Sequence, residues 1–330
     1  MDKSNTKAFI TGGTGFIGSH LAQALLKRGY SEIRCLVRSA PKWLKGLDIV
    51  PVRATLMDKG AIREAVQDVD YVYHLGGLTR AKTFEALFEG NVTATLNLLD
   101  AVRSANPKVR KVCVTSSLAA VGHAPAGGIA DESTPLRAIS HYGRSKAMME
   151  KEVWHAFGES LPIVIVRPPP VYGPRDRDVY TFFRTVGRGI CPILMGDQGL
   201  TLVHVSDLVR GLIEGTESEA TGGETYFVGN DNHVTWTALR EATVKALGRR
   251  ALTVPLPRAV VMPLGVVTEF AGRVTGTYPP LNREKAREIL HAAKCCSSSK
   301  AHRDFGYEAK TPLEEGVRAT IEWYRARGDL

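Results

Sequence analysis

A cluster of glycines near the N-terminus constrains this chain more than any other feature of its sequence. The stretch KAFITGGTGFIG at positions 7–18 places four glycines within seven positions, directly after an apolar run. Glycine is favoured where the backbone turns with positive φ or approaches another group closely. Gly12, Gly15 and Gly18 follow a predicted strand and open a predicted helix, an arrangement that holds a dinucleotide pyrophosphate at a helix N-terminus. A P-loop is excluded because no Gly-Lys-Ser or Gly-Lys-Thr ends the turn. From spacing alone, an ordinary strand-to-helix turn stays open.

Short apolar runs alternate with amphipathic helical patterns in the first half of the chain. Helices are predicted at 16–28, 83–104 and 144–158, and such alternation indicates a parallel sheet covered by helices on both faces. After position 167, proline and glycine become frequent, and we expect irregular elements up to a C-terminal helix near 312–327. The predicted buried strands are KAFI (7–10), EIRCLVR (32–38), DIVPV (48–52), DYVYHL (70–75), RKVCVTS (110–116) and PIVIVRP (162–168).

Composition narrows the classes of protein that remain. The chain has 330 residues, 44% of them hydrophobic, and a formal net charge of +9. Because its lysines and arginines are dispersed, an anionic small ligand fits this charge better than a nucleic acid. The polar start MDKSNTK and the lack of a long apolar run predict a cytoplasmic protein without a membrane span. The five cysteines lack metal-ligand spacing, so no metal site is expected, and Cys295-Cys296 is predicted to expose a thiol in a loop.

The end of the second predicted strand bears on the choice of dinucleotide. An acidic residue there typically holds the ribose hydroxyls of NAD, whereas an arginine accommodates the 2′-phosphate of NADP. Here the strand ends in Arg38-Ser39, and Glu32 lies too early to take the acidic role. The sequence therefore favours NADP over NAD. A solvated surface arginine is the alternative interpretation.

Two later motifs carry chemistry. In HYGRSK, Tyr142 and Lys146 are four residues apart and so lie on one face of a helix. A nearby ammonium lowers the pKa of a phenol from its usual value of about 10, which would make proton transfer near neutral pH feasible. In VCVTSS, hydroxyl side chains end a predicted strand with Ser117 last, at the sheet edge where ligands bind. Taken singly, each motif is more often a surface pair or a turn.

In this order, the motifs resemble the short-chain dehydrogenase/reductase superfamily, specifically its extended branch of NAD(P)-dependent epimerases, dehydratases and reductases. The stretches TGGTGFIGSHL, YVYHLGG, YGRSK, RPPPVYGP and LVHVSDLVRGL carry the resemblance, which spans nearly the whole chain. It implies a Rossmann-type doubly wound parallel sheet and a smaller C-terminal substrate-binding part. The implied Rossmann domain covers 1–167 and 203–228, and the substrate-binding part covers 168–202 and 229–330.

The resemblance also assigns roles to residues. Tyr142 is the implied acid/base, Lys146 holds the nicotinamide ribose and tunes Tyr142, and Ser117 hydrogen-bonds the reacting oxygen. Two departures leave the adenine contacts less defined: Ala54-Thr55-Leu56 replaces the family's Gly-Asp-Leu, and HLGG replaces HLAA. The implied cofactor-binding residues are Gly12, Gly15, Phe16, Ile17, Gly18, Arg38, Leu56, Leu75, Gly76, Tyr142, Lys146 and Pro168.

Within this branch, absent features favour a reductase. Ser117 is followed by Leu118-Ala119, not by the Asp-Glu pair of the 4,6-dehydratases, and Arg38 replaces the acidic residue of epimerases that retain NAD. We therefore expect NADPH-dependent reduction of a ketone on a hydrophobic small molecule, as in members resembling dihydroflavonol reductases and 3β-hydroxysteroid dehydrogenases. A nucleotide-sugar epimerase and a non-catalytic dinucleotide-sensing regulator are the alternatives. The sequence leaves open whether the chain forms a homodimer.

The apolar segment 257–274 has three interpretations. It resembles the hydrophobic substrate-side helix of the reductase-like members, and it is equally compatible with an amphipathic helix buried in the core. A membrane-surface role is disfavoured because the segment lacks a strongly basic polar face. Among the remaining residues, His74 is predicted to be a hydrogen-bonded interior histidine rather than a base.

Overall fold

A parallel sheet organises the molecule. The computed structural model describes residues 3–126, 128–196, 199–275 and 281–330, without the side chains of residues 273 and 274. Its strands are β1 (Lys7–Thr11), β2 (Glu32–Leu36), β3 (Val50–Val52), β4 (Tyr71–His74), β5 (Lys111–Thr115), β6 (Ile129–Ala130), β7 (Ile163–Arg167), β8 (Val171–Tyr172), β9 (Ile190–Leu194), β10 (Val203–His204), β11 (Glu224–Phe227), β12 (Leu252–Leu256) and β13 (Cys295–Cys296). Seven of them pair in the order β11-β7-β5-β4-β1-β2-β3, all parallel. The predicted doubly wound sheet is confirmed.

Helices cover both faces of this sheet. A π-helical turn, Glu89–Thr93, joins α3 to α4, and short 3-10 turns occupy Lys42–Leu44, Leu118–Ala120 and Glu219–Thr221. The helices are α1 (Phe16–Lys27), α2 (Lys59–Val66), α3 (Phe84–Phe88), α4 (Ala94–Ala105), α5 (His141–Phe157), α6 (Asp178–Gly187), α7 (Val205–Glu217), α8 (Trp236–Leu247), α9 (Arg258–Thr275), α10 (Arg283–His291), α11 (Ser299–Phe305) and α12 (Leu313–Ala326).

The two-residue period of the strands divides the core into two layers. In β1, Ala8 and Ile10 face a cluster that includes residues of α1 and α7, whereas Phe9 faces a cluster built with α2, α4 and α5. Alternating side chains of a strand point to opposite faces, so a sheet buried on both sides needs continuous apolar runs. This requirement explains why the central strands were readable in the sequence as short, uninterrupted apolar segments.

Three predictions about the fold are wrong. The third predicted strand is not buried, because β3 lies at the sheet edge and 46% of the Val50 surface is exposed. The region between position 167 and the C-terminal helix α12 is not irregular, because it contains the helices α6 to α11. Cys295 and Cys296 form β13 beside β6 and are buried, so neither offers an exposed thiol. Burial that depends on distant partners was not visible in local composition.

A further apolar cluster lies away from the sheet. It joins α6, α8 and α12 through residues such as Phe183, Leu239 and Val317. The strand β11 nevertheless returns the chain to the sheet beside β7. The predicted division into a Rossmann domain and a substrate-binding part stays a prediction. Among the described residues, no helix is both long and apolar enough to cross a bilayer.

Candidate active site

The glycine turn lies at the carboxyl end of β1, where neighbouring strand connections leave in opposite directions. Strands β2 and β4 flank β1, and crevices at such switch points bind ligands in open parallel sheets. Gly12 has φ of 74°, and a Cβ there would lie 2.7 Å from the carbonyl carbon of Leu75. A Cβ on Gly18 would lie 2.3 Å from the carbonyl oxygen of Gly12. The chain's own packing therefore requires glycine at both positions.

Gly15 differs from these two glycines. It is exposed, its φ is −84°, and the one neighbour that an added Cβ would meet is the Gly12 oxygen at 3.2 Å. Gly15 is also the N-cap of α1, and it has no side chain to accept hydrogen bonds from the first-turn N–H groups. Those N–H groups and the helix dipole attract an anion. The open side of Gly15 is thus the part of the turn that a phosphate group fits.

A buried histidine ties the turn to the neighbouring strand. The Nδ1 atom of His74 lies 2.7 Å from Thr11 Oγ1, and its Nε2 atom lies 2.8 Å from Thr95 Oγ1. Thr11 Oγ1 also accepts a hydrogen bond from the Gly76 N–H at 3.0 Å, which fixes the segment after β4. Burial lowers the pKa of His74 to about 3 and keeps its ring neutral. The prediction of a satisfied interior histidine is confirmed.

The other expected cofactor residues on this side lie around the same turn. The N–H of Leu75 donates to the Thr11 carbonyl at 3.2 Å, and a Cβ on Gly76 would contact the Leu56 side chain at 3.4 Å. Phe16 and Ile17 occupy the first turn of α1 and are half-buried. The structure therefore brings Leu56, Leu75 and Gly76 to the crevice next to the glycine turn.

The residues of the two chemical motifs meet at the carboxyl end of β5. Lys146 is buried on α5, and its Nζ atom donates to the carbonyl oxygen of Thr115, the last residue of β5, at 2.8 Å. Ser117 follows two residues later, and its side chain interacts with the Tyr142 phenol. The helix begins where the Ser140 hydroxyl accepts the N–H of Gly143 at 3.1 Å, so Tyr142 lies in its first turn.

The expected direction of the phenol pKa is wrong. Burial raises the pKa of Tyr142 to about 12, the carboxylate of Glu288 adds to this effect, and the Ser117 hydroxyl opposes it. The sequence argument relied on Lys146 to lower that pKa. Desolvation of the phenol is the largest cause of the shift, because burial disfavours the charged form of a side chain. The side chain of Tyr142 is therefore protonated at neutral pH.

A buried carboxylate stands behind Lys146. Glu150 follows one turn later on α5, and 1% of its surface is exposed. Burial lowers the pKa of Lys146 to about 8, and the negative charge of Glu150 opposes that shift. Without this charge, the buried ammonium would lose its proton at a lower pH.

Glu150 also links three elements that carry site residues. Its Oε1 atom accepts a hydrogen bond of 2.5 Å from the hydroxyl of Ser116, the residue that directly precedes Ser117. Its Oε2 atom accepts a hydrogen bond of 2.6 Å from Nη2 of Arg167, the residue that directly precedes Pro168. Pro168 is buried, and its carbonyl accepts the N–H of Leu118 at 2.9 Å. One carboxylate on α5 thus fixes the ends of β5 and β7 relative to Lys146.

Sequence reasoning missed Glu150, Arg167 and Asn91. Asn91 lies in the π-helical turn, donates from Nδ2 to Ser145 Oγ at 2.8 Å, and accepts the N–H of Leu78 at 2.7 Å. The signal for Glu150 was present, because it follows Lys146 by four residues and so shares its helix face. The π-helical turn left no such signal in the sequence, although turns of this kind are frequent at functional sites.

Arg38 lies apart from the catalytic group. It is exposed two residues after β2 ends, next to the strand that carries the glycine turn. Glu32 lies at the other end of β2 and accepts a hydrogen bond from Arg34 Nε at 2.5 Å. An acidic residue at the strand's start, bound to its neighbour, is not placed to receive a ribose.

Comparisons with known proteins extend these observations. The family described as the NAD dependent epimerase/dehydratase family matches residues 8–229. The chain is 29% identical to a ceramide reductase of Caulobacter vibrioides over 97% of this chain and 95% of that protein. It is also 29% identical to a putative dihydroflavonol 4-reductase of Synechocystis sp., again over 97% of this chain and 95% of the relative.

A solved structure shares the whole architecture. The crystal structure of gox2253 superposes with a TM-score of 0.82 at 28% sequence identity, covering 99% of this chain and 100% of that one. The likeness includes the C-terminal half, where composition had predicted irregular structure.

Proposed function

Since the chain belongs to the NAD-dependent epimerase/dehydratase family, we propose that it is an NAD(P)-dependent reductase of the extended short-chain dehydrogenase/reductase type. It reduces a ketone on a hydrophobic small molecule, with Tyr142 as the acid, Ser117 as the group that orients the carbonyl oxygen, and Lys146 as the ribose-binding cation. The observation that carries this proposal is the meeting of these three residues at the carboxyl end of β5.

The protonation states support reduction. Because the pKa of Tyr142 is raised to about 12, its phenol holds a proton that it can give to the carbonyl oxygen. Ser117 hydrogen-bonds the same oxygen and aligns it with the phenol. The Lys146 ammonium donates to the Thr115 carbonyl and to the Met149 sulfur, and its third hydrogen is left for a ribose hydroxyl. A bound reduced nicotinamide supplies the hydride to the carbonyl carbon.

The residues of the glycine turn fit a dinucleotide. The open side of Gly15, at the N-terminus of α1, would hold the pyrophosphate, and Leu56, Leu75 and Gly76 would border the adenine side. Pro168, fixed by its contact with Leu118, would border the nicotinamide. We propose NADP as the preferred cofactor because Arg38 is exposed where a 2′-phosphate would lie.

The substrate class rests on the relatives and on the C-terminal elements. A ceramide reductase and a putative dihydroflavonol 4-reductase are similar to this chain along almost their whole lengths. The helix α10 reaches the catalytic helix, since Glu284 accepts the N–H of His141 beside Tyr142. We therefore assign 168–202 and 229–330 to substrate binding. The cytoplasmic location and the homodimer stay predictions.

The direct test is turnover by the purified protein. A panel of ketones carried on long-chain or polycyclic bodies, with nucleotide sugars alongside, is incubated with NADPH while the absorbance of the reduced nicotinamide is followed. We expect the apolar ketones to consume NADPH and Tyr142→Phe to abolish that consumption. Interconversion of nucleotide sugars with no net change in absorbance, by protein that retains NAD after purification, would instead establish an epimerase.

A further inference from the structure

The helix α9 exposes apolar side chains and turns its described charged side chains inward, which is the reverse of an ordinary surface helix. Every exposed position from 259 to 271 is apolar, and the exposed fractions are 44% for Val260, 63% for Val267 and 68% for Phe270. Its charged side chains, where the structure describes them, point inward: Arg258 donates to the Leu290 carbonyl, and Glu269 accepts the N–H of Arg283. Helices that face water normally expose the polar side.

The strand pair that leads directly into α9 also exposes apolar side chains. Strands β9 and β12 pair in parallel, with Leu252 beside Ile190, and Leu252 is 71% exposed. Of the twelve large hydrophobic residues exposed in the described part of the chain, eight lie on or next to these elements. We call these eight the apolar surface: Ile190, Met195, Leu252, Val254, Val260, Leu264, Val267 and Phe270. Such a concentration is rare on a monomer and marks an interaction site.

Three arginines border one end of this surface. Arg188 precedes β9, and Arg249 and Arg250 precede β12, so the strand register brings them to the same end of the pair. All three are exposed, and Arg249 donates to the Gly187 carbonyl at 3.4 Å, which holds the two strand starts together. A positive border beside an exposed apolar face complements phosphate head groups beside acyl chains.

We propose that the apolar surface docks the protein onto an anionic lipid surface, with Arg188, Arg249 and Arg250 on the phosphate groups. A second copy of this chain is the competing occupant, and the dimer measurement below distinguishes it from a lipid surface. The sequence argument against a membrane role considered α9 alone. The positive charge comes instead from residues that precede β9 and β12.

The position of the apolar surface suits a lipid-borne substrate, a point that rests on the proposed function, whereas the docking itself does not. Gly265 allows α10 to pack closely against α9, since a Cβ there would lie 2.9 Å from the Ala286 Cβ. Glu284 of the same α10 binds the backbone of His141, next to Tyr142. One helix thus separates the exposed apolar face from the N-terminus of the catalytic helix.

Vesicle sedimentation tests the docking without any turnover. The full chain is mixed with vesicles of phosphatidylcholine alone or with phosphatidylglycerol added, and the bound fraction is measured. We expect binding to the anionic vesicles, weakened at least about tenfold in the double variant Val267→Glu, Phe270→Glu. The matched control is Val50→Glu, Ile129→Glu, whose positions are 46% and 48% exposed elsewhere; it should bind as the wild type does.

A second variant tests the arginines and needs no change in α9. Replacing Arg188, Arg249 and Arg250 by glutamine should weaken binding to anionic vesicles by about 100-fold, at about fivefold for each charge. The proposal is overturned if the wild type does not bind anionic vesicles, or if neither variant differs from the control. It is equally overturned if the wild type sediments as a dimer that the α9 variant dissociates while vesicles bind neither protein.

Discussion

Helices α5 and α9 have similar lengths, 17 and 18 residues, but they place polar and apolar groups in opposite ways. On α5, Lys146 and Glu150 are buried, with 6% and 1% of their surfaces exposed. On α9, Val267 and Phe270 are among the most exposed large hydrophobic residues described. Both arrangements cost free energy in an isolated monomer, since buried charges need partners and exposed apolar groups order water. Such departures concentrate at functional surfaces.

The two helices differ in whether their unusual side chains have partners within the protein. The charges of α5 have partners inside the protein, because Glu150 binds Arg167 and Ser116 while Lys146 binds the Thr115 carbonyl. The apolar groups of α9 have no comparable cover within the described chain. The buried charges of α5 therefore find their partners within the protein. The exposed apolar side chains of α9 would be covered only by contact with another surface.

The largest effect is expected from the phenol of α5. Tyr142→Phe removes the transferable proton and should lower ketone turnover by about 10²-fold to 10⁴-fold. Cofactor affinity should stay close to that of the wild type, because the phenol contributes little to holding the dinucleotide. Stopped-flow reduction and a fluorescence titration of NADPH measure the two quantities. Turnover near the wild-type rate would remove Tyr142 from the mechanism.

The next effect concerns the buried pair behind the site. Glu150→Gln leaves the buried Arg167 without its counter-charge, so the free energy of unfolding should fall by about 3–5 kcal/mol. Val267→Glu on α9 is the matched comparison and should change it by no more than about 0.5 kcal/mol. Urea denaturation of both variants gives the values. Equal effects would mean that the two helices do not differ as described.

The glycine turn separates a packing role from a binding role. Gly18→Ala places a Cβ 2.3 Å from the Gly12 carbonyl and should destabilise the fold, whereas Gly15→Val should chiefly weaken dinucleotide affinity. Thermal melting and calorimetric titration distinguish the two. If Gly15→Val binds NADPH with undiminished affinity, the turn is structural throughout.

The smallest of these mutational effects tests cofactor choice. A guanidinium beside a 2′-phosphate contributes roughly 1.5–3 kcal/mol, about tenfold or more in affinity. The wild type should therefore prefer NADPH to NADH by about that factor, and Arg38→Ala should erase most of the preference by weakening NADPH alone. Raising the salt concentration should reduce the preference in parallel. A wild type that prefers NADH would make Arg38 an ordinary surface residue.

Local patterns predicted the parts of this molecule whose partners are near in sequence. The central strands were readable from uninterrupted apolar runs, and the glycine turn from its spacing, because each depends on a few adjacent residues. Among the helices between α5 and α12, the apolar pattern of 257–274 predicted α9. The helices α6, α8, α10 and α11 were missed, because proline and glycine near their ends masked the periodicity within. The exposed side of α9 could not be foreseen either, because its apolar residues suit a buried helix equally well.

The site residues also divide into those that local motifs predicted and those that only the fold brings together. Ser117, Tyr142 and Lys146 were found by motif, but the bond from Glu150 to Arg167 joins residues of α5 and β7 that only the fold brings together. The direction of the Tyr142 pKa was misjudged for the same reason. Spacing placed the ammonium of Lys146 near the phenol, whereas the burial that dominates the pKa comes from elements far along the chain.

The pH profile of ketone reduction by NADPH tests the central claim most directly. If Tyr142 acts as an acid beside a cationic Lys146, kcat/KM should be constant through neutral pH, because the pKa of Tyr142 is about 12. It should fall above about pH 8 as Lys146 loses its proton, and at lower pH in Glu150→Gln, which lacks the charge that raises the pKa of Lys146. A rate that rises with pH across the neutral range, or a fall unmoved by Glu150→Gln, would contradict the account.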